Sequence, residues 1–268
     1  MSLSDYATTA YLIFLAALIG AVGGSFVNCL SWRYVRGEKV TKGRSRCTFC
    51  GHVLGAFDLI PIVSWVGLRG RCRYCGEKIS PRYVLAEVLM ALVAVGLLFR
   101  FGLTLRLPFY LFYAFILLAV ALIDLESYEI PDRFHVVAIL WWLMGAALLE
   151  RPVLPYLLRG FAGGLAVAGG MLAISLIFDR ILGRESLGGG DIKLLFVTGL
   201  YLGFAVNLLN LVISCFFGLA LAAATAKART AREDPAAIPF GPAIAASTAL
   251  CLICGESIVQ WYLRFCGL

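Results

Sequence analysis

Two aspartates stand at the ends of apolar segments, where an ionisable side chain is uncommon. Asp124 closes one apolar run, and Asp191 opens another directly after the glycines 188–190. Ionisable residues at the edge of a membrane helix are costly, so they are candidates for a functional site. Two carboxyl groups that lie close together share a proton, which lets one activate water as a base while the other donates a proton. The two residues therefore predict acid–base chemistry of the kind that an aspartyl protease uses without a covalent intermediate.

The residues around Asp191 suit this chemistry, although a structural role is equally open. Gly188 and Gly190 let backbone or substrate approach the carboxylate closely, and Lys193 completes the motif. The alternative is that both aspartates only mark helix ends. An acid before an apolar run is a good helix N-cap, and it complements the helix dipole.

Other acidic residues near the apolar runs are less informative. Glu126, Glu129 and Asp132 are expected to be solvated loop or capping residues. Glu87 lies about one turn inside an apolar run, where it is either a buried partner of Arg82 or part of a polar site.

Four cysteines form two Cys-x-x-Cys pairs, each followed by a glycine. The pairs are Cys47/Cys50 and Cys72/Cys75, with 21 residues between them. Two such turns can direct four thiolates at one tetrahedral centre, and the glycine allows the tight turn around the metal. Arginines beside both pairs favour the thiolate form. The spacing predicts a structural zinc site, with two disulfides or four free thiols as the alternatives.

The other cysteines and the two histidines are predicted to be structural. Cys251 and Cys254 form a further pair inside an apolar run, where a metal would lack polar partners. They are therefore interpreted as packing residues. His135 is isolated, and His52 is redundant as a ligand once four thiolates fill a tetrahedral site. The packing interpretation also applies to Cys29, Cys215 and Cys266.

Membrane helices must position these residues, because 61% of the 268 residues are hydrophobic and only 15% are charged. Soluble domains are about 45–50% apolar and about 25% charged, and disordered chains are more polar still. Continuous apolar runs disfavour a β-barrel, which needs alternation. We therefore predict an all-α polytopic membrane protein with about eight transmembrane helices. The predicted spans are Tyr11–Leu30, Tyr83–Phe99, Leu107–Ile123, Phe134–Leu149, Leu154–Phe178, Ile192–Val206, Leu208–Ala226 and Pro239–Leu263, with a tight turn around Asn207.

A long polar segment separates the first two spans. It holds both cysteine pairs and 11 of the 23 Lys and Arg residues, so residues 32–82 are predicted to be a cytoplasmic zinc-binding domain. Residues 1–31 then form the first transmembrane helix, and residues 83–268 form a seven-helix membrane domain that carries both aspartates. Anionic lipid headgroups are favoured over nucleic acid as the partner of the basic charge.

The distribution of positive charge predicts the orientation. With the zinc domain inside, alternation through eight spans leaves 18 Lys and Arg residues on the cytoplasmic side and 5 outside. The N-terminus is then outside, and it lacks the basic residues of a cleaved secretory signal. Both aspartates fall on the cytoplasmic side, where they can meet. Neither a nucleotide-binding motif nor a Ser-His-Asp triad is visible.

Together these motifs resemble those of bacterial type IV prepilin peptidases, the leader peptidase/N-methyltransferases, across nearly the whole chain. The resemblance implies an aspartyl protease of the GxGD type, with Asp124 and Asp191 as the catalytic pair. Glu126 departs from the family pattern, since many members carry a second Asp there. The matching segments are Gly24–Arg33, the two cysteine pairs with Gly70–Gly76, Ile79–Tyr83 with Glu87, Ile123-Asp124 with Ile130–Asp132, Gly188–Asp191 and Pro239–Pro242.

The resemblance also implies substrates and a cofactor. Members are located in the bacterial inner membrane and cut prepilins and pseudopilins after a glycine, on the cytoplasmic side and ahead of an apolar helix. They then methylate the new N-terminus with S-adenosylmethionine. No soluble methyltransferase pattern is visible, so we expect that cofactor site at the cytoplasmic domain and helix ends. The alternatives are a GxGD protease with other substrates and no methyltransferase activity, or a zinc-stapled transporter or scaffold.

Overall fold

Almost all the ordered structure of this chain is helical. The computed structural model describes residues 3–39, 43–183, 187–229 and 238–267, and within these ranges only two isolated β-bridges interrupt the helices, turns and loops. A 3-10 turn at Ala56–Leu59 and a π-helical turn at Cys251–Gly255 accompany the helices. The all-α prediction is confirmed. The helices are α1 (Leu3–Val35), α2 (Val63–Gly67), α3 (Arg82–Phe101), α4 (Arg106–Ser127), α5 (Asp132–Leu149), α6 (Val153–Leu182), α7 (Gly189–Arg229), α8 (Gly241–Leu250) and α9 (Glu256–Phe265).

Seven helices within the described ranges are long and apolar enough to cross a membrane. The protein is therefore a multi-pass membrane protein, as predicted. One of the seven, Gly189–Thr225, has 37 residues. As a straight helix it would be about 55 Å long, whereas the hydrocarbon core is about 30 Å thick. This helix is too long for a single crossing.

Helix α7 folds back on itself at Gly203 and therefore consists of two shorter arms. The backbone there has φ 72° and ψ 176°, which a residue without a Cβ adopts readily. Asn207 Nδ2 donates to the carbonyl of Leu195 at 3.0 Å, although 12 residues of straight helix would separate them by about 18 Å. The two arms correspond to the predicted spans Ile192–Val206 and Leu208–Ala226, and the chain reverses at Gly203 rather than around Asn207.

A buried polar network holds the two arms of α7 and α8 together. The Thr198 hydroxyl donates to Asn207 Oδ1 at 2.8 Å. The hydroxyl groups of Ser247 and Thr248 donate to the backbone carbonyl and side-chain oxygen of Asn210, at 2.8 and 3.3 Å. All five residues are buried. Because lipid offers polar groups no partners, such a network fixes the register of the three segments.

The folded α7 also determines where α8 begins. The backbone N–H of Gly241, at the start of α8, donates to the Asp124 carboxylate near the end of α4 at 2.9 Å. Between these points the chain passes along α5, α6 and both arms of α7, and four crossings return it to its starting side. A straight α7 would make three crossings and leave the two residues on opposite sides. The seven helices therefore supply eight crossings.

The chain forms two compact units, Met1–Leu122 and Ile123–Leu268. In the first, α1 packs on α3 through Gly24, where an added Cβ would lie 2.9 Å from an α3 carbonyl oxygen. In the second, α6 packs on α7 through Gly163, where an added Cβ would lie 2.6 Å from a backbone nitrogen of α7. Small residues allow this close approach of helix backbones.

Candidate active site and metal centre

Asp124 lies in the last turn of α4 and is only 4% exposed. Its Oδ2 accepts the backbone N–H of Gly241 at 2.9 Å. A Cβ added to Gly241 would lie 2.7 Å from that oxygen, so the approach requires glycine. The partial positive charge at the start of α8 also favours a carboxylate there. The end of one helix and the start of another thus hold Asp124 in place.

Asp191 lies in the first turn of α7, beside Asp124. Its charge interacts with that of Asp124, and its Oδ1 is buried without a hydrogen-bond partner in the described ranges. The position of Ile130 also shows that the start of α7 lies close to the start of α8. Its side chain would lie 3.1 Å from a Cβ added to Gly190 and equally far from one added to Gly241. The structure therefore brings the two predicted aspartates together, although they are far apart in sequence.

The two glycines of the predicted supporting motif are the crowded ones. A Cβ at Gly188 would lie 3.2 Å from Asp191 Oδ2, and one at Gly190 would lie 3.1 Å from Ile130, whereas Gly189 faces open space. The third member of the motif, Lys193, points elsewhere. Its Nζ donates to Asp132 at 2.7 Å, and both side chains are exposed.

Several residues of this region were not singled out by the sequence analysis as site residues. Gly241 belongs to the Pro239–Pro242 motif, but nothing in the sequence shows that its partner is Asp124. Asp132 was expected to be a solvated loop or capping residue, and it is exposed at the start of α5, where it also pairs with Lys193. His135 was interpreted as an isolated residue, yet it is 6% exposed and lies close to Asp132, Lys193 and the backbone of Gly190.

The four predicted cysteines form a compact cluster. One ligand atom from each of Cys47, Cys50, Cys72 and Cys75 lies within 4.8 Å of the others. The Sγ atoms of Cys47 and Cys75 are 3.9 Å apart. A tetrahedral zinc with bonds of about 2.3 Å needs sulfurs about 3.8 Å apart, so the geometry fits that metal. The structure forms no disulfide among these four cysteines, so it does not support the disulfide alternative.

Two matching turns build the cluster. In each, the first cysteine accepts an N–H from the glycine after the second cysteine: Gly51 donates to Cys47 at 3.0 Å and Gly76 to Cys72 at 2.9 Å. Both glycines have positive φ, 71° and 73°. Isolated β-bridges close both turns, at 46–53 and 71–78. The repeated Cys-x-x-Cys-Gly spacing therefore folds into a repeated local structure.

The electrostatics of this segment support the cluster. Burial opposes ionisation of Cys47, but backbone N–H groups of Cys50 and Phe49 and neighbouring thiols lower its pKa to about 7. The Arg73 guanidinium, 2.7 Å from Asp58, holds the pKa of that carboxyl below its usual range. Asp58 thereby connects the 3-10 turn at Ala56–Leu59 to the second cysteine turn. His52 is not a member of the cluster, and its ring stacks on Tyr74.

Glu87 has a different partner from the one considered. Its Oε2 accepts the backbone N–H of Ile62 at 2.7 Å, and the residue is buried. Ile62 has φ 64°, an unfavourable value for a β-branched residue, so Glu87 stabilises a strained turn. Trp65, Tyr83 and Glu87 line a cavity of about 100 Å³ that reaches Cys72.

Two carboxyl groups, one buried and one half-buried, thus meet beside two glycines in a helical membrane protein, an arrangement suited to acid–base catalysis. Two family models match the chain. The bacterial peptidase A24 N-terminal domain matches residues 18–101, and the type IV leader peptidase family matches residues 111–223. No solved structure matches this chain.

Three relatives share the name prepilin leader peptidase/N-methyltransferase. The Bacillus subtilis protein is 32% identical, over 92% of this chain and 96% of its own length. The Aeromonas hydrophila protein is 34% identical, over 82% and 74%. The Pseudomonas aeruginosa protein is 28% identical, over 100% and 99%. The chain belongs to the type IV leader peptidase family.

Proposed function

We propose that the protein cleaves the leader peptides of type IV prepilins and pseudopilins after a glycine, at the cytoplasmic face of the inner membrane, and then methylates the new N-terminal residue. Asp124 and Asp191 are the catalytic pair. The observation that carries the proposal is the meeting of these two carboxyl groups beside the Gly241 N–H, in a chain of this family.

The hydrogen bonds support different roles for the two aspartates. The Gly241 N–H suits a carboxylate at Asp124, so Asp124 takes a proton from the attacking water. Asp191, whose Oδ1 has no donor in the described ranges, carries the proton that goes to the peptide carbonyl oxygen. Water adds to the carbonyl carbon to form a tetrahedral diol. Its collapse breaks the C–N bond as Asp124 returns a proton to the leaving amine and Asp191 regains its own.

The proposed orientation places this chemistry inside the cell. Residues 32–82 form a cytoplasmic zinc domain between the first helix (1–31) and the membrane domain (83–268), and the N-terminus is periplasmic. The 18-to-5 distribution of basic residues supports this orientation. Three of the residues counted, Lys42, Arg184 and Arg232, lie outside the described ranges.

The residues beside the zinc centre suit the methyl donor. S-adenosylmethionine carries a sulfonium cation and supplies the methyl group when it is bound. The cavity next to Cys72 offers the buried Glu87 carboxylate and the ring of Trp65, both of which attract a cation. Its volume of about 100 Å³ accommodates only part of the cofactor. Zinc bound by the four thiolates would hold the walls of this cavity together.

The test is mass spectrometry of a prepilin coexpressed with the protein, which reports cleavage and N-terminal methylation together. We expect Asp124→Asn and Asp191→Asn each to abolish cleavage while the protein still inserts. Glu129→Gln is the matched control, because Glu129 is an exposed acid near the same helix end. Normal cleavage by either aspartate variant would refute the dyad. Cleavage without methylation would show that the protein is a protease without methyltransferase activity.

A further inference from the structure

An apolar groove begins one residue beyond Asp191. Ile192, Phe196 and Val197 of α7 form one wall, and Leu165 of α6 and Val136 of α5 contribute the others. Its volume is about 490 Å³, within the range of about 300–1,000 Å³ that ligand sites occupy. The groove therefore has the size of a binding site, and the helix that forms one of its walls also carries Asp191.

A buried histidine lines this groove, and the backbone of Gly190 approaches its ring. His135 is 6% exposed, and neither ring nitrogen makes a well-formed hydrogen bond in the described ranges. Asp132 Oδ1 is 3.8 Å from Nδ1, beyond hydrogen-bond distance. Lys193 lies at the same end of the groove and pairs with Asp132. A buried polar group without a partner is costly, which indicates that a ligand supplies one.

We propose that this groove binds the apolar segment that follows the scissile bond of the substrate, and that His135 hydrogen-bonds to its unwound first turn. This inference rests on the proposed function. A helical substrate must unwind at the bond to be cut, and the freed N–H and C=O groups then need partners at membrane depth. A neutral histidine offers one donor and one acceptor. His135 is thus a positioning residue rather than a catalytic one.

A lipid tail is the other apolar occupant of a membrane groove, and two observations favour the peptide. The groove begins at Ile192, next to Asp191, so it adjoins the place where the proposed cleavage occurs. An acyl chain would offer nothing to the two ring nitrogens of His135, whereas an unwound backbone offers both a donor and an acceptor.

Two neighbouring glycines of α6 provide a matched test. A Cβ at Gly169 or at Gly170 would meet nothing within 4 Å, but only Gly169 lines the groove. Gly169→Phe should therefore fill the groove without disturbing the packing, and Gly170→Phe should leave it open. For a full-length prepilin in detergent, we expect Gly169→Phe to raise KM at least about tenfold with kcat little changed. Gly170→Phe should match the wild type.

His135 gives a second readout. We expect His135→Leu to raise KM about tenfold, and His135→Gln, which keeps a donor and an acceptor, to recover most of that loss. A benzophenone amino acid placed at position 169 of the full-length Asp191→Asn protein should crosslink to prepilin, and the same probe at position 170 should not.

The outcomes separate the groove from the proposed function. If the wild type cleaves prepilin but the two phenylalanine variants behave alike, the groove proposal is wrong and the protease assignment stands. Crosslinks to lipid alone would also overturn it. If the wild type fails to cleave prepilin, the proposed function fails, and the crosslinking arm still reports whether the groove binds an apolar peptide.

Discussion

Gly241→Ala tests whether the start of α8 holds Asp124, the proposed catalytic carboxylate, in place. The added Cβ would lie 2.7 Å from Asp124 Oδ2 and 3.1 Å from Ile130, whereas ordinary contacts begin near 3.4 Å. Asp124 must therefore move by more than half an ångström, and its hydrogen bond from the Gly241 N–H is strained or lost. A hydrogen bond to a charged group contributes about 1.5–3 kcal/mol, which is roughly 10–150-fold in rate.

The expected result is a fall in kcat of about a hundredfold, with KM for prepilin little changed. The assay is cleavage of purified prepilin in detergent, followed by mass spectrometry, alongside thermal unfolding. Gly255→Ala is the control, because its Cβ would meet Val206 at 2.6 Å, at the far end of the same helical run. Gly255→Ala should lower the stability of the protein but leave the arrangement of Asp124 and Asp191 unchanged. A folded Gly241→Ala enzyme with wild-type kcat would refute the reasoning, and so would an equal loss of kcat in Gly255→Ala.

Three further predictions concern the metal centre, an ion pair and the α7 hairpin. Purified protein should hold about one zinc ion per chain, and less than half an equivalent in the wild type would count against the site. Cys72→Ser should release the zinc and reduce methylation more than cleavage. Asp58→Asn should destabilise the zinc domain at neutral pH, unlike Glu38→Gln in an exposed pair. Because the pKa of Asp58 is lowered on folding, this difference should disappear as the pH falls below about 4, as thermal melts would show. Asn207→Ala should cost about 1–2 kcal/mol in detergent unfolding, because Thr198 and the Leu195 carbonyl lose a partner, whereas Thr225→Ala should cost less.

Local patterns in the sequence predicted the local structure well. The Cys-x-x-Cys-Gly repeat specifies its own turn, and the four thiols meet as expected. Apolar runs predicted the helices, as for α3, expected at Tyr83–Phe99 and observed at Arg82–Phe101. Both patterns lie within a few residues of chain, where spacing and hydrophobicity determine the conformation.

The long-range parts of the site could not be predicted in the same way. The hydrogen bond from Gly241 to Asp124 joins residues that are 117 positions apart in the sequence. The sequence around either residue does not indicate which residue is its partner. His135 was interpreted as isolated because its neighbour Gly190 lies on another helix. The turn in α7 was expected around the polar Asn207, yet it occurs at Gly203. The reversal needs a backbone conformation that only glycine adopts easily. Asn207 instead belongs to the polar network that holds the two arms together.

The length of the first arm of α7 determines the depth of the site. From Asp191 to Gly203 there are 12 residues, about 18 Å of helix, against a hydrocarbon core of about 30 Å. Gly203 faces the Arg159 side chain, 2.9 Å from an added Cβ, and an arginine draws that end of the arm toward the headgroups of one surface. An arm that starts at that surface ends about 12 Å short of the opposite one. The proposed cleavage, at the junction of a polar leader and an apolar helix, would then occur below the membrane surface. There, a backbone N–H at a helix start can stabilise a carboxylate without introducing a second buried charge.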